Sequence, residues 1–201
     1  MNMKREIRSR GIVIRKHFPQ KVCISVLDEQ YGHLTVVPAS WQWASYASVG
    51  AVISYELVEE NDVFFVKQIE LLSIPTYQNE LLLLFMHHLL EICYFYIPVC
   101  SGKTECFDLL YYIINELDHI AQKTTLQRLL LAKLLFMIGQ YPADVDQLTI
   151  SSLLYKPYGD LVTLILTDEH KRELEIFIYQ CIKFHPYGRL LKTVNFLSRV
   201  K

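Results

Sequence analysis

Ser101-Gly102-Lys103-Thr104 carries the closing residues of a phosphate-binding loop. That motif needs a further glycine five residues before its Gly-Lys pair, where this chain has Ile97, and a strand leading into it, which the pattern does not supply. Capping of the following helix accounts for Ser101 and Thr104. His87 and His88 are adjacent, so on a helix they point about 100° apart and do not face one metal together. His87 and Glu91 stand at i and i+4, a spacing that serves a hydrogen bond more often than a metal. No serine sits in a Gly-x-Ser-x-Gly turn. Asp144 and Asp146 read as a solvated turn. These residues predict no catalytic centre, no metal site and no cofactor.

The cysteines, Cys23, Cys93, Cys100, Cys106 and Cys181, are odd in number and unevenly spaced. A secreted disulfide framework is normally even and denser, and zinc ligand pairs are normally separated by roughly two to four residues. Reduced, buried thiols are expected, and with them a cytoplasmic location. The first residues are charged with no apolar run behind them, so no signal peptide is expected. Residues 81–100 are the most apolar window, but His87, His88 and Glu91 interrupt it and Pro98 closes it. A buried helix fits that window better than a membrane span.

Cations gather at the two ends. Lys4, Arg5, Arg8, Arg10, Arg15, Lys16 and Lys21 face only Glu6 as a near acid, and after Lys183 come Arg189, Lys192, Arg199 and Lys201 with no acid at all. The middle of the chain is acidic, and the formal net charge is -1. Binding to an anion must therefore come from a local patch rather than an overall basic coat. Single-strand-binding barrels combine cations for phosphates with aromatic rings for bases. Arg15, Lys16 and Lys21 are the candidate phosphate contacts here. Trp41 and Trp43, in the loop after the third expected strand, are the candidate stacking platforms. Solvated termini and a core tryptophan are the simpler alternative. At the far end, Phe184, Arg189 and Lys192 combine a ring with cations, and by residue type alone Arg189 and Lys192 face solvent or favour the dipole ends of their helices.

The elements that must hold these residues divide near Pro75. Before it lie short β-branched runs: Gly11-Ile12-Val13-Ile14-Arg15, then residues 22–27, 34–37, 49–57 and 63–72. Five strands with hairpin-length gaps suggest a small closed antiparallel barrel over residues 1–75. After it the apolar period lengthens to about 3.6 and predicts an all-helical domain over 76–201. Helices are expected at 78–97, around Phe107–Leu117, around Leu126–Met137 with Gly139 as C-cap, from Thr167, and from about Arg189. Residues 140–166 are either two short strands or a further helix. The fold class is α+β. At 201 residues and 52% hydrophobic, the chain has ample material for a core, which excludes intrinsic disorder.

The order of these pieces resembles the RecO family of bacterial DNA repair and recombination mediators. The resemblance lies in four segments: Gly11-Ile12-Val13-Ile14-Arg15, Tyr31-Gly32-His33-Leu34-Thr35-Val36-Val37, Leu134 through Pro142 with its Gly139 and Tyr141, and His185-Pro186-Tyr187-Gly188-Arg189-Leu190-Leu191-Lys192-Thr193. It implies an OB-fold followed by a helical domain, with no enzymatic activity. It also implies binding of single- and double-stranded DNA, strand annealing, and loading of RecA with RecR onto DNA coated by single-strand-binding protein. The helical domain would take that protein's acidic, apolar C-terminal tail, with Phe184 the candidate ring contact and Arg189 and Lys192 the candidate partners of its carboxylates. Two departures stand out. The loop Pro38-Ala39-Ser40-Trp41-Gln42-Trp43-Ala44-Ser45 holds no cation, where many members are basic, and residues 140–166 hold no cysteine, so no zinc module is expected. The missing cations motivate a second expectation, a protein-interaction adaptor with weak or lost DNA binding.

Overall fold

The β-branched runs become five strands: β1 (Glu6–Lys16), β2 (Ile24–Asp28), β3 (Gly32–Pro38), β4 (Val52–Glu60) and β5 (Val63–Ser73). The structure is a computed structural model that describes residues 6–17, 23–40, 47–60, 63–102, 104–141 and 148–193. The strands close into a barrel in the order β1-β2-β3-β5-β4. Four neighbouring pairs are antiparallel, and β3 with β5 is parallel. The fully antiparallel barrel expected from the gaps is thus corrected at one seam. A closed ring of five strands cannot alternate direction all the way round, so one pair has to run parallel. The result is an OB-like barrel.

Alternate residues fill its interior, as the two-residue period of a strand requires. Val13, Ile24, Val26, Leu34, Val36, Ile53, Tyr55, Leu57 and Val66 form one buried cluster. Its polar anchor is Asp28, which is fully buried. Asp28 Oδ1 accepts the backbone N–H of Gln30 at 2.8 Å and of Tyr31 at 2.9 Å, fixing the β2–β3 turn. Asp28 Oδ2 accepts the Tyr55 hydroxyl. Burial, then the neighbouring carboxylate, pushes the Tyr55 phenol well above its ordinary range. Tyr55 also explains Gly11: a Cβ there would lie 2.8 Å from its hydroxyl and 3.1 Å from its ring. Only a residue without a side chain lets this tyrosine cross β1 to reach the aspartate.

The helices are α1 (Glu80–Tyr96), α2 (Glu105–Asn115), α3 (Leu117–Ile120), α4 (Thr124–Ile138), α5 (Ser151–Leu154), α6 (Tyr158–Leu161) and α7 (Asp168–Phe184), followed by a 3-10 turn at Gly188–Leu190. Their ends follow local chemistry. The Asn79 side chain accepts the Leu82 N–H at 2.9 Å ahead of α1. Gly139 takes φ 84°, and its N–H returns to the α4 carbonyls, as a left-handed C-cap does. Thr167 caps α7 through His170 N–H at 3.2 Å, and the His170 ring accepts the Thr167 N–H in return.

Between residues 148 and 166 the helical alternative holds, as the two single turns α5 and α6. Around Arg189 the chain forms a 3-10 turn, and residues 194–201, which would carry the rest of the expected last helix, lie outside the described residues. The turn's bonds span three residues, Gly188 N–H to His185 O and Leu190 N–H to Tyr187 O, each at 2.9 Å.

By internal packing the chain forms two units, residues 1–77 with 90–115, and residues 78–89 with 116–201. In the first, α2 buries Cys106, Phe107, Leu109, Leu110 and Ile113. Arg10 stands 5.8 Å from the Phe107 ring centre and 5.4 Å from that of Tyr111, while pairing with Glu29 at 2.7 Å. In the second, α4 packs on α7 through Leu174, Phe177 and Cys181. Buried Lys133 on α4 donates to the carbonyls of Leu154 at 2.5 Å and Lys156 at 2.6 Å, closing the end of α5.

Candidate functional site

The candidate cations of β1 separate by what they face. Arg8 pairs with Glu70 at 3.3 Å and Arg10 with Glu29, so the first half of the strand is neutralised. Beyond it the register with β2 slips between Val13 and Arg15: Val13 pairs with Val26, and Arg15 with Ser25. Such a bulge leaves one residue, Ile14, without an opposite number and re-aims the residues that follow.

Arg15 emerges exposed, with its guanidinium carbon 4.3 Å from the ring centre of Tyr94 and 5.7 Å from that of Phe95. Both rings stand on the last turns of α1 and are half-buried. Tyr94 is flanked by the rings of His17 and His33, each 5.8 Å away between centres, and Phe95 meets it edge-on at 4.9 Å. His33 is fixed by donating from Nδ1 to the Ile97 carbonyl at 2.7 Å. Its burial holds the imidazole below its ordinary pKa, so the ring favours the neutral form. His17 Nε2 bonds the Ser25 hydroxyl at 3.0 Å. Lys16, half-buried, has its amine pKa lowered by desolvation.

One edge of the barrel therefore brings Arg15, His17 and His33 onto the Tyr94 ring, with Lys16 adjacent in the chain. Lys21, Trp41 and Trp43 lie outside the described residues. Tyr94 and Phe95 were not among the expected site residues, because they lie in a run that reads as core helix nearly all round. No periodicity separates a ring on the barrel rim from one inside.

At the other end, Phe184 closes α7 with 75% of its surface exposed. Lys183 lies 5.2 Å from the Tyr179 ring centre and 5.6 Å from that of Phe184. Phe184 lines a cavity of about 340 Å³ with Gln140, Tyr141, Gln180, Cys181 and His185. Burial pushes the Cys181 thiol up to about 12 and keeps the His185 imidazole below its ordinary value. Arg189 and Lys192 are exposed, on and just after the 3-10 turn, and do not line the cavity.

The remaining candidates disperse. The Ser101–Thr104 segment follows α1 and opens α2, with no strand before it. His88 is buried and bonded to Thr193, while His87 is half-buried. Among the described residues no three His, Cys, Asp or Glu side chains gather as a metal site, and no helix is long and apolar enough to cross a membrane. The fold and this edge define a small OB-like barrel with a cationic, aromatic rim, joined to a helical region. No protein-family model matches the chain, and no curated protein matches it in sequence.

Proposed function

We propose that this chain is a non-enzymatic, cytoplasmic DNA-binding mediator of recombination and repair, of the RecO kind. In this reading the barrel binds single strands and promotes their annealing. The helical region engages RecR and the C-terminal tail of single-strand-binding protein, so that RecA is loaded. The observation that carries the reading is the end of β1, where exposed Arg15 stands over the Tyr94 ring on the rim of an OB-like barrel, with Lys16 next to it in the strand. Cations with aromatic rings are the chemistry of single-strand recognition.

Reversing Arg15, Lys16 and Lys21 together to Glu is expected to weaken oligonucleotide binding for every sequence alike. It should also flatten the salt dependence, whose logarithmic slope is about -0.7 per single-strand phosphate contact. Binding isotherms across a salt series check this, and unchanged binding rejects the site.

For the tail, Phe184 offers a ring beside a cavity, and Arg189 a planar fork suited to a terminal carboxylate. Arg189→Glu is expected to weaken a labelled tail peptide while oligonucleotide binding and folding stay intact. Equal peptide affinity in both proteins would remove Arg189, Lys192 and Phe184 from the proposal. The ion pairs that occupy Arg8 and Arg10 favour a second reading, an adaptor that keeps partner contacts with little DNA binding. It requires no oligonucleotide binding even at low salt.

A further inference from the structure

We infer that Arg15 and Tyr94 form a base-stacking platform, on which an unpaired nucleobase of a single strand lies against the guanidinium while Tyr94 supports it from beneath. This rests on the DNA-binding reading above and changes the role of Arg15 within it, from phosphate contact to base contact. A phosphate-tracking arginine turns its fork to solvent. Here the guanidinium carbon sits 4.3 Å from a ring centre, so a π-face already orients it.

Tyr94 is itself held, between the rings of His17 and His33 and against the edge of Phe95. The pair is thus ordered before any ligand arrives, which lowers the ordering cost of binding. Arg15 is exposed, so a planar group can reach it from solvent. Guanidinium planes and aromatic rings are what unstacked bases lie upon in single-strand complexes, whereas a duplex hides its base faces.

The test compares a thymidine oligomer, an abasic oligomer of equal length and a blunt duplex, with the full chain, Arg15→Lys and Tyr94→Leu. Lysine keeps the charge and loses the plane. Wild type is expected to prefer the base-bearing strand to the abasic one. Each variant should lose about 5- to 140-fold on that strand, the size of one base stack, with abasic binding, duplex binding and the salt slope nearly unchanged. A thermal melt checks the fold of Tyr94→Leu; Arg15→Lys alters an exposed side chain and stands as the decisive variant. Equal wild-type affinity for the base-bearing and abasic strands overturns the platform, as does an Arg15→Lys variant that binds like wild type or loses equally on all three ligands. In those cases DNA binding itself stands. Absence of wild-type binding to every oligomer at low salt overturns the DNA-binding reading and the platform with it.

Discussion

Asp28→Ala is expected to remove about 3–5 kcal/mol of stability, a large part of the roughly 5–15 kcal/mol available to a domain. The carboxylate is fully buried and collects two turn N–H groups and the Tyr55 hydroxyl. Truncation leaves a buried phenol and two backbone donors without an acceptor, each costing roughly 1–3 kcal/mol where water cannot replace it. Asp28→Asn keeps the shape and one acceptor oxygen, and its amide can donate to the Tyr55 oxygen. It should cost less, about 1–2 kcal/mol. Urea unfolding of the full chain followed through barrel tertiary signals measures both. If alanine proves no worse than asparagine, Asp28 is not the anchor of the barrel.

Tyr55 adds a pH signature at the alkaline end. Its folded pKa is raised, so the stability it contributes is present below the ordinary phenol range and is lost as pH rises through it.

Acidification acts above all through His88, in the second unit. His88 is buried in the middle of α1, bonded through Nδ1 to the Thr193 hydroxyl, and its Nε2 has no hydrogen-bond partner among the described residues. Burial lowers its pKa from 6.5 to about 4. Between those values the unfolded chain takes up a proton that the folded chain refuses, so stability falls as pH falls through that window. Above it, both states hold a neutral imidazole and nothing is lost. The difference corresponds to roughly 3 kcal/mol by pH 4. His33 and His185, also lowered by burial, act in the same direction. The contribution of His88 is therefore read as a difference: His88→Gln, which can keep the Thr193 bond without titrating, should flatten the acid limb relative to wild type. Stability curves of the two proteins that run parallel from pH 7 to pH 4 would show that His88 does not carry the loss.

How much of this was legible beforehand follows from the range of each interaction. Five strands, their order along the chain, the long apolar helix after Pro75, the Gly139 cap and the Thr167 cap all rest on neighbours within a few residues. Composition and period display such contacts directly, and the structure has them. The cationic end of β1 was legible for the same reason, as a run of like charge.

Other features depended on residues far apart in the chain. Gly11 reads as one glycine in a β-branched run until Tyr55, 44 positions on, crosses it to reach Asp28. Lys133 stands among the apolar residues of α4, and its amine closes α5 through carbonyls more than twenty positions away. The parallel β3–β5 seam is invisible in local spacing and follows only from closing an odd number of strands. Likewise, which arginine of β1 faces a carboxylate and which a tyrosine ring was decided by the β-bulge and by Tyr94, nearly eighty positions on. Sequence alone determined the local elements and the kinds of side chain they carry. The tertiary structure decided which of those side chains meet, because burial, pairing and stacking act between atoms that chain closure brings together.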